Sequence, residues 1–418
     1  MWRNLTAGQW REDLDVLVDA VQHEHRDLHH AISSDRFRLA VRSVRGHLPS
    51  LPGHAVVVEF ARLLAMIGDG HTVLRLTDVP DFARFPIQLY RFADGLFVRA
   101  ATPEHMVAAG ARVMAIGDVP ILEAWDLVRP LISRDNEMGV WSQAPDLLAI
   151  PEVLHALGLI PTTDRAIWTV ACQNGERLAL DLPTSHCRDQ DLIDARFRSG
   201  IADPLWLRRP DENWFEYLPE TRTLYMAYNT VRDHVDEPLA AFFGRAFDVV
   251  ASEGVERFIL DIRRNHGGDM ALNWPLVDGL IRSDLVNRWG HLFVIIGRGT
   301  FSAAMNLAID LEQRTRTLFV GEPTGARPNH YGENTDIVLP HSGLRATASA
   351  LFWQTSLPND DREWIAPDLM ARLLSTDYLQ QRDPAYDAIL ADEGPMGGPV
   401  VTPLERHLAK YVSRPGSV

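Results

Sequence analysis

The sequence predicts an α/β protein of more than one domain, and three observations predict it. The chain has 418 residues, more than one ordinary hydrophobic core organises. Hydrophobic residues make up 46% and charged residues 23%, the balance of a soluble globular chain. After residue 220, short apolar runs alternate with amphipathic segments at the spacing of strands and helices. That alternation implies a sheet covered by helices, with functional loops at the strand ends.

The elements follow in order. Trp10, Leu14, Leu17, Val18 and Val21 recur at helical spacing, and helix continues to about residue 68, which defines an N-terminal helical region over residues 1–80. Within it, HEHRDLHH sets His25 and His29 one turn apart. No acidic or cysteine ligands are arranged around them, so a solvated helix end is expected rather than a metal site. Residues 81–135 change to the β-like runs FPIQLYRF, GLFVRAA and ARVMAIGDVPI, the last turning at Gly117-Asp118 before a helix around EAWDLVRPLI. Residues 136–215 read as a connector: helix interrupted at Pro151 and Pro161, then a hairpin, IWTVACQNGERLALDL, turning at Asn174-Gly175. Residues 216–380 carry the strongest pattern. TLYMAY is a strand, and Leu239, Phe242, Phe243, Ala246 and Val250 then share a helix face opened by Pro238 and closed near Gly254. RFILDI, HLFVIIG and TLFVGE follow as strands, separated by the helices NWPLVDGLI and AAMNLAIDLEQ. Residues 381–418 have the composition of a linker and frayed terminus.

The charge balance excludes partners. A formal net charge of −15 repels a phosphate backbone and an anionic membrane surface, so neither is an expected partner. No apolar run reaches the roughly 18 residues that span a bilayer. The start, MWRNLTAGQWREDLD, turns charged before a signal-peptide core, and a cytoplasmic protein is the expectation. Cys172 and Cys187 alone cannot build a disulfide scaffold or a four-cysteine zinc site, and both are expected as ordinary buried thiols.

Three stretches could carry chemistry. In RGTFSAA, Ser302 stands between an apolar strand and the first turn of a helix. It is either a helix N-cap or a nucleophile held at the positive end of a helix dipole. In LDIRRNHGG, Gly267 and Gly268 let backbone amides approach one point, while Asp261 and Arg263 are expected to brace the turn. In GDGHTVLRL, glycines on either side of Asp69 lift His71 from its scaffold as a candidate base, with His330 of RPNHYG as the second candidate.

Taken together, RGTFSAAM followed by LFVGEPTG, LDIRRNHGG, GDGHT and the late WIAPDL occur in an order that resembles the tail-specific, or C-terminal processing, serine peptidase family. The resemblance covers most of the chain. It implies a ClpP/crotonase-type β/α catalytic core, with the 81–135 segment as a small PDZ-like β-rich module. The family's usual lysine base falls on Arg327 here, and an arginine stays protonated at any working pH. The closer resemblance is therefore to the tricorn-like and retinoid-binding-protein-like branch, which uses serine, histidine and an acid.

That resemblance implies a serine-type peptidase with Ser302 as nucleophile, His71 as base and Asp361 as acid, Asp360 and Glu363 being the alternative acids. The oxyanion would meet the amides of Ala303 and of Gly267 or Gly268. No metal or organic cofactor is implied, and the partner is a peptide or small acyl substrate. The same chemistry would serve an esterase, lactonase or cyclase, and a silent lipid or peptide carrier on this fold is the remaining alternative.

Overall fold

The computed structural model describes residues 2–185, 189–209 and 211–392, without the side chains of residues 198 and 199. Cys187 and the tail from 393 onward, including GPMGGPV, lie outside the described residues. Cys172 is a free, half-buried thiol.

Three helices open the chain: α1 (Ala7–Glu24), α2 (Ser34–His47) and α3 (Gly53–Ala65). The first begins at a reciprocal cap, in which Thr6 accepts from the Gln9 amide and the Gln9 side chain answers the Thr6 amide. The apolar stripe read from the sequence faces inward, with Trp10, Leu14, Leu17 and Val21 buried. Next come β1 (Ile87–Phe92), β2 (Gly95–Ala101), β3 (Arg112–Ile116), β4 (Val119–Pro120), and the helices α4 (Ile121–Val128), α5 (Glu137–Leu148) and α6 (Pro151–Ala156). The hairpin of β5 (Arg165–Ala171) and β6 (Arg177–Pro183) turns at Asn174-Gly175 as the dipeptide requires, and β7 (Ile193–Asp194) pairs with β2. These strands form one antiparallel sheet in the order β1-β2-β3-β5-β6.

The remaining elements are α7 (Leu205–Arg208), β8 (Trp214–Leu218), β9 (Thr223–Ala227), α8 (Leu239–Ser252), β10 (Arg257–Asp261), α9 (Trp274–Arg282), β11 (Leu292–Ile296), α10 (Ala303–Arg314) and β12 (Leu318–Gly321). The hairpin of β13 (Asn329–Val338) and β14 (Arg345–Gln354), then β15 (Leu369–Met370), α11 (Ser375–Leu379) and α12 (Pro384–Ala391), close the described chain. The sheet β15-β12-β11-β10-β9-β8 is parallel except at its β8 edge. Its strands alternate between two dry faces. Met226, Leu260 and Val294 pack with α8, α9 and α10, while Tyr225, Ile259, Phe293 and Val320 pack with Leu205 and with Ala385 and Ile389 of α12. Burial on both faces is why these strands read as solid apolar runs.

The α/β class is as the sequence predicts, but the contacts divide the chain into two compact units rather than five consecutive segments. The first unit comprises residues 1–201, 330–353 and 374–381. The second comprises residues 202–329 and 354–373 and continues from 382. The expected boundaries at 80 and 135 vanish because α1–α3 and the antiparallel sheet share one apolar core. The expected 216–380 block loses the β13–β14 hairpin, whose Ile337, Ala346 and Ala348 pack into that same first core. Among the described residues no helix is long and apolar enough to cross a membrane.

Candidate active site

In the second unit, β10 and β11 are parallel neighbours, so the loops leaving their C-terminal ends rise from the same edge of the sheet. Thr300 Oγ1 donates to the Ile262 carbonyl at 2.9 Å and accepts the Gly297 amide at 3.1 Å, which ties the two loops together. One residue on, Phe301 N–H donates to the Asn265 carbonyl at 3.1 Å. The chain then makes its strained step. Ser302 has φ +53° and ψ −126° and heads α10 without any side-chain capping bond. An N-cap normally holds extended backbone and accepts from the first turn, so the capping reading of this serine is overturned. A non-glycine residue in such a region costs about 1–3 kcal/mol and persists only where its surroundings fix it. Here the Ser302 carbonyl accepts from Met305 N and Asn306 N at 2.8 and 3.1 Å, so α10 itself holds the strain. A strained serine between a buried strand and a helix is the geometry of a nucleophile elbow.

The β10 loop is built around the buried Asn265. Its Oδ1 accepts the Gly267 amide at 2.9 Å, and its Nδ2 donates to the Tyr228 carbonyl at 2.8 Å. Gly267, at φ +99°, stands so close to the elbow that a Cβ there would lie 2.7 Å from the Ser302 Cβ and 2.8 Å from the Ala303 nitrogen. A Cβ on Gly268 would fall 2.0 Å from the Val231 carbonyl oxygen. Of the three amides expected to hold an oxyanion, that of Gly267 is therefore committed to Asn265, and its glycine supplies space instead. Among the described residues the Gly268 and Ala303 amides donate to no protein acceptor. Ala303 is an orphan of the helix's first turn.

The remaining groups sort clearly. Arg263 Nε donates to Asp261 at 3.0 Å, and its two outer nitrogens donate to Asp383 at 2.9 and 2.8 Å, so Asp261 and Arg263 brace the loop. Asp360 is buried beneath Arg362, which reaches it at 2.8 Å and Glu312 of α10 at 2.9 Å. Asp361 and Glu363 are exposed.

In the first unit, His71 sits on a turn pinned at three successive amides and at its own carbonyl. Asp69 Oδ1 accepts the His71 amide at 2.9 Å and the Thr72 amide at 2.7 Å, and Gly70 N–H donates to Asp135 at 2.7 Å. The His71 carbonyl accepts from Thr347 Oγ1 at 2.6 Å, while Val73 and Thr347 exchange both backbone bonds. The turn is thus stitched to β14, far along the chain. His71 is buried and stacks on His330, with ring centroids 5.8 Å apart. Burial, then the neighbouring His330, lower its pKa to about 3, against the opposing pull of Asp69 and of a hydrogen bond to the Tyr331 backbone.

The HEHRDLHH stretch is a solvated helix end at His23, Glu24, Arg26, Asp27 and His29, but not at His25. His25 is buried and its Nε2 lies 3.0 Å from Asp69 Oδ2, while its ring neighbours those of His30 and Tyr331. The pull inward comes from a carboxylate 44 residues away, which helical spacing alone does not reveal. Asp69 and Ser349 are supporting residues that the motifs do not single out, and Asn265, placed by sequence at the strand end, proves to be the one that holds its loop. Only the glycines flanking Asp69 and preceding His71 marked the place.

No family model matches the chain, and no curated protein is significantly similar to it. Solved structures decide the fold. Mature CPAF in complex with lactacystin superposes with a TM-score of 0.64 at 11% identity, over 91% of this chain and 97% of that one. The chain has the CPAF fold. Mature CPAF alone gives 0.63 at 12% identity over 91% and 96% of the two chains, and a CPAF mutant gives 0.63 at 10% over 98% and 99%. Likeness to CPAF thus spans both units, and at this identity it speaks for architecture.

Proposed function

We propose that the protein is a serine peptidase of the tail-specific protease type, cleaving peptide bonds through an acyl-enzyme on Ser302. The observation that carries this reading is the strained Ser302 elbow flanked by the unclaimed amides of Gly268 and Ala303. Strain at a residue that makes no capping bond has no evident structural purpose, and it presents Oγ at the head of α10.

In this reading His71 takes the Ser302 proton as Oγ bonds to the scissile carbonyl carbon. The tetrahedral oxyanion is held by Gly268 and Ala303 N–H, with Gly267 keeping the approach open. His71 returns the proton to the departing amine as the C–N bond breaks, and water then releases the acyl group by the same path. Burial keeps the His71 imidazole neutral but weakens it as a base, so a carboxylate is needed to steady the charge it takes up. Asp361 is proposed as the acid that steadies the ring, because its neighbour Asp360 is bound to Arg362.

The test is covalent labelling with a fluorophosphonate, followed by peptide mapping and by profiling on casein, C-terminal peptides and nitrophenyl esters. Modification confined to Ser302, with peptide cleavage, supports the proposal. An unlabelled Ser302 would leave the carrier alternative standing, and ester-only turnover would move the enzyme to small acyl substrates. Lactacystin, the compound in one CPAF complex, is a further direct probe.

A further inference from the structure

We infer that Asp69 and His25 form a positioning pair behind His71: an ionised carboxylate, fixed by a neutral imidazole, that sets the base and steadies the positive charge it acquires. The inference rests on the reading of His71 as the base of Ser302 and adds two residues to it.

The hydrogen bonds fix the state of each member. His25 Nδ1 accepts the Asp27 amide at 3.0 Å, so that nitrogen carries no proton. The ring hydrogen is therefore on Nε2, which donates to Asp69 Oδ2 at 3.0 Å. On its other oxygen Asp69 accepts the His71 amide, the Thr72 amide and, at 2.7 Å, Ser349 Oγ. Four donors fill the acceptor positions of the carboxylate, and each is a neutral group.

Both side chains are buried, with 0% of His25 and 1% of Asp69 exposed. Burial disfavours the Asp69 charge, but the bonds from His25, Ser349 and Thr72 outweigh it and hold the carboxyl well below its usual range. A fixed negative charge thus stands two residues from His71 at every working pH. Among the other groups acting on His71, His330 on β13 and Arg75 oppose its protonation, and the Tyr331 backbone favours it. Asp69 is a carboxylate of the same unit that attracts the imidazolium. An ordinary Asx turn needs only its backbone donors. The buried histidine and Ser349 serve instead to keep the carboxylate charged and immobile.

The experiment follows the rate of Ser302 modification by a fluorophosphonate in the full-length protein, a readout that needs no knowledge of the substrate. Phe at position 25 removes the donor, whereas Gln retains an N–H able to reach Asp69. His25→Phe should slow labelling by about tenfold or more, as expected when a catalytic group loses its placement, and His25→Gln should recover most of the rate. Asp69→Asn should slow it further, because the imidazolium loses its counter-charge. Should His25→Phe not fold, Ser349→Ala replaces it: it removes one donor, leaves the charge, and should slow labelling severalfold. Wild-type rates in folded His25→Phe or Ser349→Ala, with Ser302→Ala unlabelled, would overturn the pair and leave the Ser302 reading intact. Labelling that persists in Ser302→Ala would overturn the reading itself.

Discussion

Gly267 leaves no room beside Ser302: a single carbon added to the glycine would stand 2.7 Å from the serine Cβ. Gly267→Ala therefore displaces the elbow and adds strain at φ +99°. Because an error of about 1 Å in placement costs on the order of 100-fold in rate, turnover should fall by that order. Steady-state kinetics beside a melting curve measure the two effects. A Gly267→Ala enzyme of normal rate would show that the contact does not set the nucleophile.

The elbow also predicts a trade between stability and activity. Ser302→Gly should melt higher than the wild type, because glycine removes about 1–3 kcal/mol of backbone strain. Ser302→Ala keeps the Cβ and should gain little. Both should lose several orders of magnitude in turnover. Differential scanning calorimetry of the three proteins is the check, and equal melting of Gly and Ser variants would mean the conformation is unstrained.

Much of the scaffold for this chemistry was legible. The apolar runs of β10, β11 and β12 and the intervening α9 and α10 declare themselves because a parallel sheet is dry on both faces and its helices on one. Gly267 and Gly268 could be picked out because a strand rarely ends in two glycines without reason. Other features were hidden. β13 buries the polar Asn329 and His330 while β14 exposes the apolar Leu351 and Phe352, so their alternation does not mark the buried face, and nothing local says that their apolar positions join the first core. His25 looked like one of several solvent-facing histidines, since its partner is 44 residues away. The commitment of the Gly267 amide to Asn265 is a matter of ångströms and leaves no trace in composition.

Asp360 and Asp361 are adjacent yet should behave oppositely. Removing Arg362, as in Arg362→Met, leaves Asp360 and Glu312 buried without their cation and should cost about 3–5 kcal/mol. Asp361→Asn lies on the surface and should change stability by less than about 0.5 kcal/mol. Its activity then reports chemistry alone. A large loss in kcat supports Asp361 as the acid, and an unchanged kcat leaves that role to Asp69.

Acid should weaken the fold earlier than carboxylate titration alone would. His71 is lowered by burial and then by His330 to about 3, and His54 by burial, then by His155 and Arg3, to about 4. Below the ordinary histidine value near 6.5 the unfolded chain takes up protons that the folded chain refuses. Stability is then full above that pH and falls as pH drops toward the two lowered values. Urea titrations across this window should show the decline, and His54→Gln should flatten part of it. A midpoint independent of pH between about 4 and 6.5 would contradict the burial argument.

The stitching of His71 to β14 has a consequence in time. Thr347 and Ser349 leave the ribosome long after residues 69 to 73, so the turn bearing the imidazole lacks its closing partners while most of the polypeptide is being made. The turn bearing His71 is therefore closed only after Ser302 has already been made.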